Sequence, residues 1–274
     1  MTSSRRMLLL GGAGFAAVSV GAATLAASGS TMVAGSAQAK NMHGLDAALE
    51  LRIRQELAER AVEKCMNRYE GLLSSARVEE ALQLFALSQP DVQADVGFGF
   101  YYGPDSVKRL ISGLHGWLEG NARTGTMKNG ALYLVANTTG VIEVAEDLQT
   151  AKGHWLCPTI STPGSAERGF SAMPGYAHRV ADFIYEDGKW KLWHYMVLGL
   201  LYYPADKPWT DSAVYEKATA PQDLSWEPEQ FKPDAPSLSG LGKQGAWRPD
   251  RPPTMVRLPE PYKTFSETFS YARS

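Results

Sequence analysis

From Asp46 the apolar positions recur at Leu49, Ile53, Leu57, Ala61, Cys65, Tyr69 and Leu72 or Leu73, a spacing of three to four residues. That period predicts one long helix with a single apolar face. Glu56, Glu59, Arg60 and Glu63 fill its opposite, solvated face. A second, short helix is predicted over Val78 to Leu87, ending ahead of Pro90. Asp91 to Tyr102 mixes alternating apolar residues with glycine and reads as a strand pair or an edge strand. Pro104-Asp105-Ser106 opens a third helix running through Leu118. The pattern then changes to a period of two. Ala131–Val144 and Ala151–Thr159 flank the polar connection Glu146-Asp147-Leu148-Gln149, and Tyr176–Glu186 and Lys189–Leu201 flank Asp187-Gly188, a strong hairpin signal. Between the two hairpins, Ser161–Gly175 is rich in Pro, Gly and Ser and is expected to be a loop.

After Tyr203 the periodicity lapses, and eleven of the sixteen prolines fall between Pro204 and Pro261. Trp209, Trp226, Trp247, Tyr262, Phe265, Phe269 and Tyr271 are scattered through this stretch, whereas disordered tails are poor in aromatics. An extended arm packed on its own domain or on a neighbouring subunit is expected.

Composition narrows the function. Over 274 residues, 27 basic side chains against 29 acidic ones leave a charge of −2 with no basic block, so there is no electrostatic footprint for nucleic acid. Two cysteines cannot build a disulfide scaffold or a cysteine-based metal cluster. No Walker loop is present and no GxGxxG follows a strand, so nucleotide-dependent chemistry has no support. His154, His178 and His194 fall on different strands without ligand spacing, so no metal site is expected.

Residues 1–39 read as an address. Ser4-Arg5-Arg6-Met7-Leu8-Leu9 has the twin-arginine pattern, a Gly/Ala-rich run follows from Leu10 to Ala27, and Ala37-Gln38-Ala39 supplies small residues for cleavage. The expectation is export through the Tat machinery to the periplasm or the extracytoplasmic surface of a bacterium, with or without cleavage. Removing Arg5 and Arg6 takes the charge from −2 to −4. The destination permits disulfides, so pairing of Cys65 with Cys157 stays open.

Three motifs carry a family resemblance. Asp182-Phe183-Ile184-Tyr185-Glu186-Asp187-Gly188-Lys189-Trp190-Lys191-Leu192-Trp193-His194 resembles the final hairpin of SnoaL-like proteins. Tyr102-Gly103-Pro104-Asp105-Ser106-Val107 resembles the start of their third helix, and Val141–Val144 followed by Thr150–Trp155 resembles their central hairpin. The resemblance is to the nuclear transport factor 2-like (NTF2-like) superfamily, over roughly residues 45–205. It implies an α+β fold: a cone in which three N-terminal helices pack on a curved antiparallel sheet, here with an extended Pro-rich C-terminal arm. The organisation expected is a signal peptide over 1–39, the cone over 40–205 and the arm over 206–274.

The resemblance further implies a homo-oligomer and a cofactor-independent lyase, dehydratase or isomerase. It would act on an apolar ring compound, aromatic or steroid-like. The other reading is a non-catalytic module that binds a hydrophobic small molecule or a secreted protein. Pairing the last hairpin across Asp187-Gly188 sets Ala181 opposite His194 and puts His194 on one face with Phe183, Tyr185, Trp190, Leu192 and Met196. His194 is therefore the expected acid or base within the cone. Asp182 is expected on the opposite face. Tyr69 matches a tyrosine that polarises the substrate oxygen in scytalone dehydratase-like members. His154 lines the cone beside His194 or faces outwards, according to the twist of its strand. Trp155, Phe183, Tyr101, Asn137 and Met196 are the expected lining.

Overall fold

A computed structural model of the chain describes residues 32–97, 99–118, 130–162, 164–165, 169–219, 232–237, 247–252 and 256–272. Most of the signal-peptide reading therefore lies outside the described residues. The chain divides at Asp46: of the first unit the described residues, from Met32, are helical, and Ala47–Ser274 forms a second, compact unit. Among the described residues no helix is long and apolar enough to cross a membrane.

The first helix, α1, spans Met32–Ser74. The predicted apolar face divides along its length: Cys65, Met66, Tyr69, Leu72 and Leu73 are buried, whereas Leu49, Ile53 and Leu57 are exposed. A short α2, Val78–Leu82, stops earlier than its pattern suggests. The reason is tertiary. Leu84 and Ala86 exchange backbone hydrogen bonds with Leu192, which draws the chain out of the helix. Strands β1 (Gln93–Asp95) and β2 (Phe100–Tyr102) form a pair, the first of the two readings, with β2 at the sheet edge, and α3 spans Pro104–Leu118 as predicted.

The sheet is completed by β3 (Tyr133–Val135), β4 (Thr138–Val144), β5 (Thr150–Ser161), β8 (Met173–Glu186) and β9 (Lys189–Tyr202). Its order is β2-β1-β9-β8-β5-β3, with β4 also paired to β5. The sheet is curved and its long strands are antiparallel, but β1 joins β9 in parallel. A small separate pair, β6 (Gly164–Ser165) and β7 (Gly169–Phe170), lies in the segment expected to be a loop. Asp187 and Gly188 both have positive φ, 52° and 73°, as the two-residue turn between β8 and β9 requires.

One irregularity decides the site. Phe183 pairs with Leu192, yet Asp182 pairs with His194, so Trp193 is an extra residue in β9. A bulge of this kind reverses which face later residues occupy. Before it, Trp190 and Leu192 join the core under α1; after it, Tyr195 and Val197 do. His194 and Met196 turn to the other face.

Beyond β9 the described residues include one α-helix, α4 (Ser212–Thr219), and a turn of 3-10 helix at Phe265–Glu267. Residues 256–272 lie against the outer face of the sheet. The carbonyls of Tyr262 and Lys263 accept from the Glu146 and Asp147 amides, and the Tyr262 hydroxyl donates to Thr150.

Candidate functional site

The face of the sheet turned towards α1 carries Trp155 and Cys157 of β5, Ala177, Arg179, Ala181 and Phe183 of β8, and Leu192, Tyr195 and Val197 of β9. Trp155 and Phe183 meet edge to face at 6.1 Å, and Gly153 leaves the space into which the Trp155 ring folds. Tyr69 of α1 stands edge-on to Phe85 at 5.5 Å and to Tyr195 at 5.2 Å. These three expected residues, Trp155, Phe183 and Tyr69, lie inside. Tyr101 is buried in the same core. Asn137 donates to Asn67 of α1 at 2.9 Å and accepts from the Cys157 thiol at 3.3 Å. Cys65 and Cys157 are both free thiols.

Within this apolar surround lies an ion pair. Arg179 Nη1 donates to Glu70 Oε1 at 2.6 Å, and the two side chains are 3% and 2% exposed. Arg179 also donates to the hydroxyls of Tyr195 and, at 2.9 Å, Tyr133, while the Tyr195 hydroxyl donates to Glu70 Oε1 at 3.0 Å. Burial pushes the Glu70 carboxyl above the usual carboxylate range, against the pull of Arg179 and the Tyr195 hydrogen bond. Burial also opposes the Arg179 charge, but Glu70 and the surrounding phenols hold it protonated. Glu70 Oε2, Arg179 Nε and Thr159 Oγ1 are buried with no hydrogen-bond partner among the described residues. A buried polar atom left unpaired costs about 1–3 kcal/mol, which a ligand bonding to it would recover; His154 Nδ1 and His194 Nε2 on the outer face are in the same state.

The expectation that His194 points into the cone is overturned. The bulge sends it to the outer face, where Nδ1 donates to Asp182 Oδ2 at 2.8 Å. Asp182, expected on the opposite face from His194, is its direct partner. Lys152 Nζ donates to Asp182 Oδ1 at 2.7 Å, and the Ser270 hydroxyl and the Tyr271 amide donate to Oδ2 at 2.6 and 2.9 Å. Burial raises the Asp182 carboxyl, but the His194 hydrogen bond and the Lys152 charge outweigh it and leave it below the ordinary range. Burial lowers Lys152, whose ammonium sits 4.6 Å from the ring centroids of both Phe265 and Phe269. The C-terminal segment thus closes over this cluster.

His154 also lies on the outer face, where Nε2 meets His178 Nδ1 at 2.7 Å. Burial, with His178 adding, lowers it to about 4. Met196 pairs with Val180 and Asp95 on that face, outside the expected lining. Neither histidine can serve the cone interior.

Glu70 and Arg179, which no sequence motif singled out, occupy it instead. Two signals were available: Glu70 continues the buried helical series Val62, Met66, and Arg179 keeps the alternation of Ala177, Ala181 and Phe183. Among the described residues no cluster of three metal-ligating side chains occurs.

No protein-family model matches the chain, and no curated protein matches it. Solved structures similar to it include an NTF2-like protein of unknown function from Pseudomonas putida KT2440, with 14% identity over 52% of this chain and 86% of that one and a TM-score of 0.39. A second is an NTF2-like protein with a cystatin-like fold from Novosphingobium aromaticivorans, with 18% identity, coverage of 56% and 87%, and a TM-score of 0.38. A third is a type 2 hexachlorocyclohexane dehydrochlorinase, with 16% identity, coverage of 54% and 90%, and a TM-score of 0.42. The chain is thus similar, over about half of its own length, to small proteins described as NTF2-like or as a dehydrochlorinase.

Proposed function

We propose that this is an exported protein whose cone takes up an apolar ring compound, aromatic or steroid-like, and converts it as a cofactor-independent lyase, dehydratase or isomerase. One observation carries the reading: a buried acid and a buried cation, Glu70 and Arg179, each keep a polar atom unpaired inside an aromatic enclosure. Arg179 Nε–H would donate to a ligand carbonyl oxygen, and Glu70 Oε2 would take a proton from the adjacent carbon. The electron pair then moves onto the oxygen that Arg179 holds. Return of the proton to another carbon gives an isomer. Alternatively, the enolate expels a β-hydroxide, which takes the proton from Glu70 and leaves as water. The raised carboxyl strengthens Glu70 as a base, and Trp155, Phe183 and Tyr69 supply apolar walls. Export rests on the twin-arginine pattern at Arg5 and Arg6.

A second reading is binding without turnover. It is favoured by the absence of His194 and His154 from the cone. The two separate in a thermal-shift screen against phenolics, lignin-type dimers, steroids and bile acids, with each stabilising compound followed by mass spectrometry. Turnover is expected as loss of water or as an isomer of equal mass, abolished in Glu70→Gln while stabilisation persists. A ligand that stabilises and is never altered selects the binding module. Stabilisation that survives Arg179→Met would refute the interior site altogether.

A further inference from the structure

Leu49, Ile53 and Leu57 are 60%, 51% and 65% exposed, an unusual run of large apolar side chains on one row of α1. The row continues through Ala61 to Cys65, and its second part, Leu57, Ala61 and Cys65, forms one wall of an open groove of about 920 Å³, with Leu49 and Ile53 beyond the groove's end. Leu84, Tyr185 and Trp190 form the opposite wall. Lys64, Arg68 and Lys189 line the groove, and among the described residues none of the three has a carboxylate within ion-pair distance. Arg54 and Glu80 also line it, each already paired, with Glu50 and Arg77, so the unpaired charges of the groove are positive.

We propose that this groove takes α1 of a second copy of the chain, packed antiparallel about a two-fold axis at Leu57. The argument is complementarity within one helix. A two-fold axis at Leu57 sets each residue opposite the one equally far on the other side. Ile53 then meets the second copy's Ala61, and Leu49 meets the second copy's Cys65. Large exposed side chains thus fall on the small or recessed positions of the same row. Glu50 falls opposite the second copy's Lys64, and the symmetry makes every such contact twice. Glu50 now holds only Arg54, at 2.5 Å on an exposed surface, where such a pair contributes little and yields readily. The arrangement buries the row on the continuation of the α1 face that packs on the sheet. It also leaves the C-terminal segment undisturbed on the sheet's outer face.

The test is sedimentation velocity on the full chain at micromolar concentration, with circular dichroism to check the fold. The wild-type chain is expected to be a dimer. Leu57→Glu puts two carboxylates on the axis and is expected to give a monomer with an unchanged spectrum. Glu50→Lys and Lys64→Glu each set like charges opposite one another, twice per dimer, and are expected to weaken dimerisation by about tenfold. The double variant Glu50→Lys/Lys64→Glu restores the opposite charges and should recover the wild-type dissociation constant. A monomeric wild-type chain overturns the proposal. So does a dimer indifferent to Leu57→Glu, or a double variant as weak as its two parents.

Discussion

Glu70 and Arg179 are the pair on which the functional reading stands, and their removal has a calculable cost. Glu70→Leu leaves the Arg179 guanidinium buried, 3% exposed, with only the hydroxyls of Tyr195 and Tyr133 for partners. Two hydrogen bonds to a charged group are lost, one from Arg179 and one from the Tyr195 hydroxyl. At about 1.5–3 kcal/mol each, they sum to roughly 3–6 kcal/mol. That agrees with the 3–5 kcal/mol or so expected for breaking a buried ion pair from one side. Arg179→Met should cost a similar amount. The double variant Glu70→Leu/Arg179→Met removes both charges, keeps the volume, and should lie within about 2 kcal/mol of wild type. A double-mutant cycle by urea denaturation of the four proteins measures the coupling. For a folded body of this size the single variants should melt roughly 6–20 °C lower. Single costs below about 1 kcal/mol would refute the burial argument, because they would mean that water reaches the pair. Additive costs would refute the coupling. If the double variant is stable but no longer takes up ligand, the pair serves function at the expense of stability.

Three further outcomes follow from packing and charge. Gly153→Ala puts a methyl carbon 2.2 Å from the Trp155 ring and should destabilise by about 1–3 kcal/mol, read as a lower denaturant midpoint. Asp182→Asn leaves the Lys152 ammonium buried without its counter-charge and should cost about 3–5 kcal/mol, with the C-terminal segment becoming sensitive to protease first. His154 binds a proton at about 4 when folded and near 6.5 when unfolded, so acid favours the unfolded chain between those values. Stability should fall by roughly 1–3 kcal/mol as pH drops from 6.5 to 4, and the slope should flatten in His154→Gln. A melting temperature that is flat across that window would refute the lowered proton affinity of His154 in the folded chain.

The sequence by itself determined the elements whose signals are local. Asp187-Gly188 fixed the β8–β9 turn because both residues must adopt positive φ, and Pro104-Asp105-Ser106 fixed the start of α3. The alternation of Ala177, Ala181 and Phe183 determined that β8 has a core face. Tertiary structure alone decided which chemistry occupies that face. A period-two pattern carries no mark of a single extra residue, so Trp193 reversed the orientation of His194 without any trace in the hydrophobic pattern. The apolar row from Leu49 to Tyr69 reads uniformly in sequence, yet only its second half meets the sheet, because burial depends on what stands opposite. The same dependence placed Glu70 against Arg179, 109 residues away in the chain, where each is tolerable only because the other is present.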